Sequence, residues 1–170
     1  MGVYNPSRKE QFLLSVESII HQTFREWEMI LYDDGSDACY IPLIRQAATL
    51  DKRIILVRGE ENRGLAYALN QCLKRARGKY IARMDDDDIS KPERLERMYA
   101  FLESHPEYQW AGSNSELIDD TGVWGIDRMQ EIPGKEDFLL YSPYIHPTVV
   151  FRKNILDRLH GYKVAADTRR

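Results

Sequence analysis

With 170 residues, the chain has the length of one domain able to bury a core of its own. Hydrophobic residues make up 43% and charged residues 30%, as in folded soluble proteins, and the net charge of −3 argues against a nucleic-acid partner. Cys39 and Cys72 are the only cysteines, and two so far apart suggest neither a disulfide framework nor a zinc site, so a reducing cytosol is the easier reading. No stretch approaches the ~18 apolar residues of a membrane span, and no signal peptide opens the chain. The expected setting is therefore the cytoplasm, with any attachment to the inner face of a membrane supplied from outside these residues.

The elements alternate. Ser7 followed by Glu10 reads as a capping box, and the helix after it puts Phe12, Val16, Ile19 and Ile20 on one apolar face. Glu28–Tyr32 is a short apolar run that stops at Asp33-Asp34-Gly35-Ser36. A helix over about Ile41–Leu50 leads to a second run, Ile54–Val57. Gly64 opens a helix with Leu65, Ala68, Leu69, Cys72, Leu73 and Ala76 on one face, and Gly78 suits its C′ position. Tyr80–Met84 reads as a strand ending in Asp85-Asp86-Asp87-Asp88. Ser90 and Glu93 form another capping box, before a helix that turns Leu95, Met98, Tyr99 and Leu102 inward. Tyr108–Ala111, Ser115–Ile118 and Thr148–Phe151 read as strands, with turns and hairpin elements across Gly112–Pro133. Short apolar strands alternating with amphipathic helices predict βαβ units and a parallel sheet, in one α/β domain over residues 1–170.

Such sheets bind ligands beyond the carboxyl ends of their strands, where both acidic clusters fall. Four consecutive aspartates repel one another unless a cation joins them. Oxygen ligands of this kind suit Mg²⁺ or Mn²⁺, which take one or two carboxylates and complete their shell with water and phosphate; a solvated acidic loop is the plainer alternative. Asp33-Asp34-Gly35-Ser36 is compatible with simple turn and cap chemistry, or with a carboxylate that accepts hydrogen bonds from a base or ribose. Arg63, ahead of a helix N-terminus, can face a phosphate or sit in a surface salt bridge.

Several segments in order resemble a family 2 glycosyltransferase. They are Val3-Tyr4-Asn5, Gln22-Thr23-Phe24, Tyr32–Ser36, Asn62–Asn70, Gly78–Asp85, Asp87-Asp88, Pro92–Leu95, His146-Pro147-Thr148 and Phe151-Arg152. The resemblance implies a GT-A fold: a Rossmann-like, mostly parallel sheet flanked by helices. It also implies a nucleotide-diphosphate sugar donor, with a UDP-sugar as the expectation, and inverting transfer to a saccharide or lipid-linked acceptor in polysaccharide or glycoconjugate synthesis. By position, Tyr4 lines the base pocket, Asp34 binds the base and Arg63 lies near the nucleotide. Asp85 and Asp87 end a DXD motif, Asp85 nearer the ribose and Asp87 as direct ligand to Mn²⁺ or Mg²⁺. Asp88 falls at the donor sugar or behind the metal, and His146 at the acceptor cleft or tied to backbone in the interior.

The chain departs from the family at both ends. Members open with an apolar strand of about five residues before the Tyr-Asn pair, whereas only Met1-Gly2-Val3 precedes it here, so lost core is expected. Gly161-Tyr162 resembles the segment before the family's Glu-Asp base motif, which places the base beyond Arg170; Asp167 lacks that pattern. Two rival readings are a catalytically silent nucleotide-binding fragment and a sugar-1-phosphate nucleotidylyltransferase. The second requires a glycine-rich basic loop, and Tyr4-Asn5-Pro6-Ser7 is not one.

Overall fold

A computed structural model describes residues 1–164. The first half alternates as the patterning predicts: β1 (Gly2–Val3), α1 (Lys9–Ile20), β2 (Met29–Asp33), α2 (Ile41–Thr49), β3 (Ile54–Arg58) and α3 (Leu65–Arg75). There follow β4 (Tyr80–Ala82), α4 (Arg94–Ser104), β5 (Trp110–Ala111), β6 (Ser115–Asp119), β7 (Gly122–Asp127) and α5 (Asp137–Leu140). A 3₁₀ turn at His146–Thr148, β8 (Val150–Arg152) and α6 (Lys153–Arg158) complete the described chain.

Strands β1, β2 and β3 pair in parallel in that order. All five residues of β2 are buried, so the strand has helices on both faces. Its alternation sorts them: Met29 and Leu31 pack with Phe12, Val16 and Ile19 of α1 and Ile44 of α2. Ile30 and Tyr32 turn the other way, onto Ala68 and Cys72 of α3. The remaining strands differ from the parallel expectation. β8 lies between β4 and β5 and runs antiparallel to both, and β6 and β7 form a separate hairpin.

Three local expectations are corrected. Neither capping box forms: α1 starts after Arg8 and α4 after Glu93, both without a side-chain cap. Ser90 is drawn inward instead, its N–H donating to Ser18 Oγ at 3.0 Å and its hydroxyl accepting from Arg94 Nη1 at 2.9 Å. A buried serine with these partners cannot also face a helix end. Third, α3 gives way to extended backbone at Ala76, so Gly78 is no C′ glycine.

The opening residues are not lost from the sheet. Tyr32 N–H donates to Met1 O and Asp34 N–H to Val3 O, both at 2.9 Å, and Met1 and Val3 are buried. Below Met1, however, β2 and β4 stand apart, and a cavity of about 420 Å³ separates them. The cavity thus lies between the parallel sheet and the β4–β8–β5 sheet, lined by residues of both.

Candidate functional site

The acidic clusters follow β2 and β4, and a separate set of contacts shapes each loop. After β2, Asp33 serves the turn itself. Its Oδ1 accepts the Ser36 N–H at 2.8 Å, and its Oδ2 pairs with Arg58, whose Nη2 also donates to Ser36 O at 2.8 Å. Gly35 has φ +75°, and a Cβ there would lie 2.4 Å from the Glu61 carbonyl carbon. Glycine therefore lets the loop carrying Arg63 close onto this turn. Ser36 Oγ accepts the Asn5 N–H at 2.9 Å, and Asn5 and Asp37 exchange two further hydrogen bonds. That lattice leaves Tyr4 half exposed at the rim of the cleft, at 46%.

Asp34 is 97% buried, being 3% exposed. Its Oδ2 accepts the N–H groups of Arg63 at 3.0 Å and Gly64 at 2.7 Å, while Oδ1 has no partner among the described residues. Burial raises its pKa, against the two N–H donors that lower it. A buried carboxylate oxygen without a donor is costly, which makes Oδ1 a ready acceptor for a ligand N–H or hydroxyl. The Arg63 guanidinium stacks 4.0 Å above the Tyr67 ring and forms no salt bridge among the described residues. The surface-ion-pair alternative for Arg63 thus gives way to a cation–π contact.

After β4, Asp85 is held from two sides. Ser15 Oγ of α1 donates to its carbonyl at 2.9 Å, and Arg83 Nη2 reaches its Oδ1 at 2.5 Å. Arg83 is 3% exposed, and its Nε and Nη1 lack partners among the described residues. Burial lifts Asp86 to about 6, with Asp87 and Asp85 adding to the rise. Desolvation and then the same two carboxylates also raise Asp88. Mutual repulsion of this kind is what a bound cation relieves. Among the described residues no three His, Cys, Asp or Glu side chains converge as a closed metal cage. Asp85 and Asp87 are the carboxylates of this loop that could hold an ion, whose shell water and phosphate oxygens would complete.

His146 opens the 3₁₀ turn and is half-buried, its ring 5.6 Å from Tyr162 and 6.5 Å from Tyr144. Burial lowers its pKa; Arg83 also lowers it and Asp85 raises it, so all three share one electrostatic neighbourhood. The ring makes no hydrogen bond to the described residues, which sets aside an imidazole tied to backbone. Asn70 clips the tail in place, exchanging 2.8 Å hydrogen bonds with Tyr162 N–H and O. Asp167 lies outside the described residues.

The structure thus links Asp34 and Arg63 through the Asp34–Gly64 contacts, sets Asn5, next to Tyr4, on Ser36, and pairs Arg83 with Asp85. Asp87 and Asp88 are exposed on the same loop as Asp85. Sequence reasoning missed Ser15, Arg83, Arg94 and Asn70. The signal for Arg83 was available: an arginine inside the apolar run Tyr80–Met84 needs a partner when it is buried.

Similarity to known proteins agrees with this geometry. Residues 1–160 match the family described as Glycosyl transferase family 2. The chain is 39% identical over 171 residues to EpsE of Bacillus subtilis, covering 100% of this chain and 61% of that one. It is 33% identical to the amylovoran biosynthesis glycosyltransferase AmsE of Erwinia amylovora, over 91% of this chain and 59% of the relative. The chain therefore spans about three fifths of the length of these two relatives. In structure it resembles the mannosyltransferase PcManGT of Pyrobaculum calidifontis, solved with GDP-Man and Mn²⁺. The TM-score is 0.72 at 18% identity, covering 97% of this chain and 46% of that one. It also resembles S. aureus TarS 1-349 in complex with UDP-GlcNAc, with TM-score 0.66 at 20% identity over 95% of this chain and 46% of that one. This chain belongs to glycosyl transferase family 2 and has the GT-A fold.

Proposed function

We propose that residues 1–170 form the donor-binding domain of a glycosyltransferase that takes a nucleotide-diphosphate sugar, a UDP-sugar, with Mn²⁺ or Mg²⁺. The reading extends to inverting transfer onto a hydroxyl of a saccharide or lipid-linked acceptor, in polysaccharide or glycoconjugate synthesis. One observation carries it: Asp34 follows β2 with a buried oxygen that has no donor among the described residues, and Asp85–Asp88 follow β4 across the cavity that parts the two sheets. GDP-Man with Mn²⁺ and UDP-GlcNAc, bound in the two similar structures, support the same ligand class.

The residues divide the work. Asp34 Oδ1 accepts from the base, Tyr4 covers it, and Arg63 faces the phosphates. Asp85 and Asp87 hold the cation, with Arg83 and Ser15 fixing Asp85. Asp88 lies toward the donor sugar and His146 toward the acceptor. When bound, the cation offsets the charge that develops on the departing diphosphate. Holding the anomeric carbon in line with an acceptor hydroxyl supplies the proximity advantage.

Thermal denaturation with UDP tests the binding reading. With Mn²⁺, ligand at 100 times its Kd is expected to add about 2.7 kcal/mol of stability. A chelator should remove most of that shift, and equal stabilisation with and without it would exclude the metal.

A further inference from the structure

A row of aromatic rings runs from α5 toward the end of β4. Between ring centres, Phe138 lies 6.0 Å from Tyr144, Tyr144 6.5 Å from His146 and His146 5.6 Å from Tyr162. Trp110 flanks the row, 5.3 Å from Tyr144. Backbone contacts fix its inner end near Asp85. Arg94 Nη2 donates to both Arg83 O and Pro147 O, at 2.7 and 2.8 Å, and Arg83 N–H donates to Val149 O at 2.9 Å. The turn carrying His146 therefore lies against the end of β4, two residues before Asp85. The charges of Arg83 and Asp85 both act on the His146 and Tyr162 rings.

These rings are not core. Phe12, inside the core, is 1% exposed, whereas Phe138 is 48% exposed and Trp110, Tyr144, His146 and Tyr162 are half-buried. The inner ones are nevertheless held in place. Buried Pro143 anchors Tyr144, Thr148 Oγ1 closes the turn by donating to Ile145 O at 2.7 Å, and Asn70 clips the backbone of Tyr162. Pinned rings with open surface suit a ligand that presents C–H groups, because an aromatic face carries partial negative charge. A pyranose has that form, with C–H groups on its face and hydroxyls around its rim. At the outer end, next to Phe138, Leu139 and Leu140 are 85% and 84% exposed, and no described residue covers them. Exposed apolar surface continuous with such a row marks contact with an apolar ligand group.

We propose that this row is the acceptor platform, and that the acceptor is a saccharide carried on a lipid. Its sugar rings lie along Phe138, Tyr144, His146 and Tyr162, with the receiving hydroxyl at the inner end and the lipid chain against Leu139 and Leu140. The proposal rests on the donor reading above, which puts the sugar to be transferred beside Asp85–Asp88. A saccharide without lipid leaves the two leucines in water, and a lipid without saccharide leaves the rings unused. The two halves together define the ligand.

NMR titration of the chain, with and without UDP and Mg²⁺, tests this. Three probes are used below micelle formation: n-octyl β-glucoside, methyl β-glucoside and n-octyl phosphocholine. Octyl glucoside is expected to shift the amide signals of Leu139, Leu140, Tyr144, His146 and Tyr162. It should bind about tenfold more tightly than either other probe, the worth of roughly two buried methylenes. Leu139→Ser with Leu140→Ser should bring octyl glucoside down to the affinity of methyl glucoside. Tyr162→Leu should weaken both glucosides by about 2- to 10-fold, with UDP binding retained in both variants as the check on folding. Equal affinity for octyl and methyl glucoside would overturn the lipid part, and equal affinity for octyl glucoside and octyl phosphocholine the saccharide part. Shifts confined to other residues, or none, would overturn both. Failure of the parent chain to bind UDP would strike the donor reading instead, and the glucoside shifts would still decide the platform.

Discussion

Asp87→Ala is expected to abolish the metal-dependent part of UDP binding, so that UDP binds alike with Mn²⁺ and with a chelator. The exposed Asp87 makes no hydrogen bond to the described residues, which leaves its carboxylate free for a ligand. With few protein ligands available to the ion, losing one of them removes most of its hold. Asp34→Ala should fail in the opposite way. It removes the acceptor for Arg63 N–H and Gly64 N–H and the buried Oδ1, none of which depends on the ion. Losing one hydrogen bond to a charged group costs roughly 1.5–3 kcal/mol, so UDP affinity should fall by about 10- to 150-fold even with chelator present. Calorimetric titration of both variants with and without Mn²⁺ separates the two patterns. Parent-like binding of UDP and Mn²⁺ by both would mean that the two sites are misassigned.

Arg94→Ala is expected to be among the most destabilising single substitutions outside the apolar core. Arg94 stands at the start of α4, and its Nη2 donates to Arg83 O at 2.7 Å and to Pro147 O at 2.8 Å. Its Nη1 donates to Ser90 Oγ at 2.9 Å. One side chain thus joins the end of β4, the helix after the acidic loop and the segment carrying His146. Truncation leaves two carbonyls without their charged donor. A loss of about 2–4 kcal/mol follows, discounted because the side chain is only part-buried. Arg94→Lys should recover little, since a single ammonium cannot reproduce the fork. Urea denaturation with unchanged slope would measure the loss, and a change below about 0.5 kcal/mol would show that the fork carries no structural weight.

How much of this could be read beforehand depended on range. Where the signal is local, the reading held. The apolar run Glu28–Tyr32 and the apolar face of Ala68, Leu69 and Cys72 gave the right elements, and the two acidic runs fell at strand ends. Local pattern also misled at the two capping boxes, because Ser90 has better partners in the interior than at a helix end. What could not be read is long-range pairing. β8 inserts between β4 and β5 although some forty residues separate it from the nearer one, and nothing in Val150–Arg152 marks its direction. Arg94 reaches the Pro147 carbonyl, and Asn70 holds Tyr162, across separations of 53 and 92 residues. Backbone carbonyls leave no trace in the identity of the residue that carries them. The Arg83–Asp85 pair was the exception: two residues apart, it was open to inference from an arginine set inside the apolar run Tyr80–Met84.

The central claim is that one nucleotide diphosphate and one cation bridge Asp34 and the Asp85–Asp88 loop. A crystal grown with UDP and Mn²⁺, with diffraction recorded at the manganese edge, tests it directly. The predicted result is a single strong anomalous peak within coordination distance of the Asp87 and Asp85 carboxylates, shared with diphosphate oxygens, with uracil against Asp34 Oδ1 under Tyr4. A manganese peak away from these carboxylates, or uracil bound without contact to Asp34, would contradict the account.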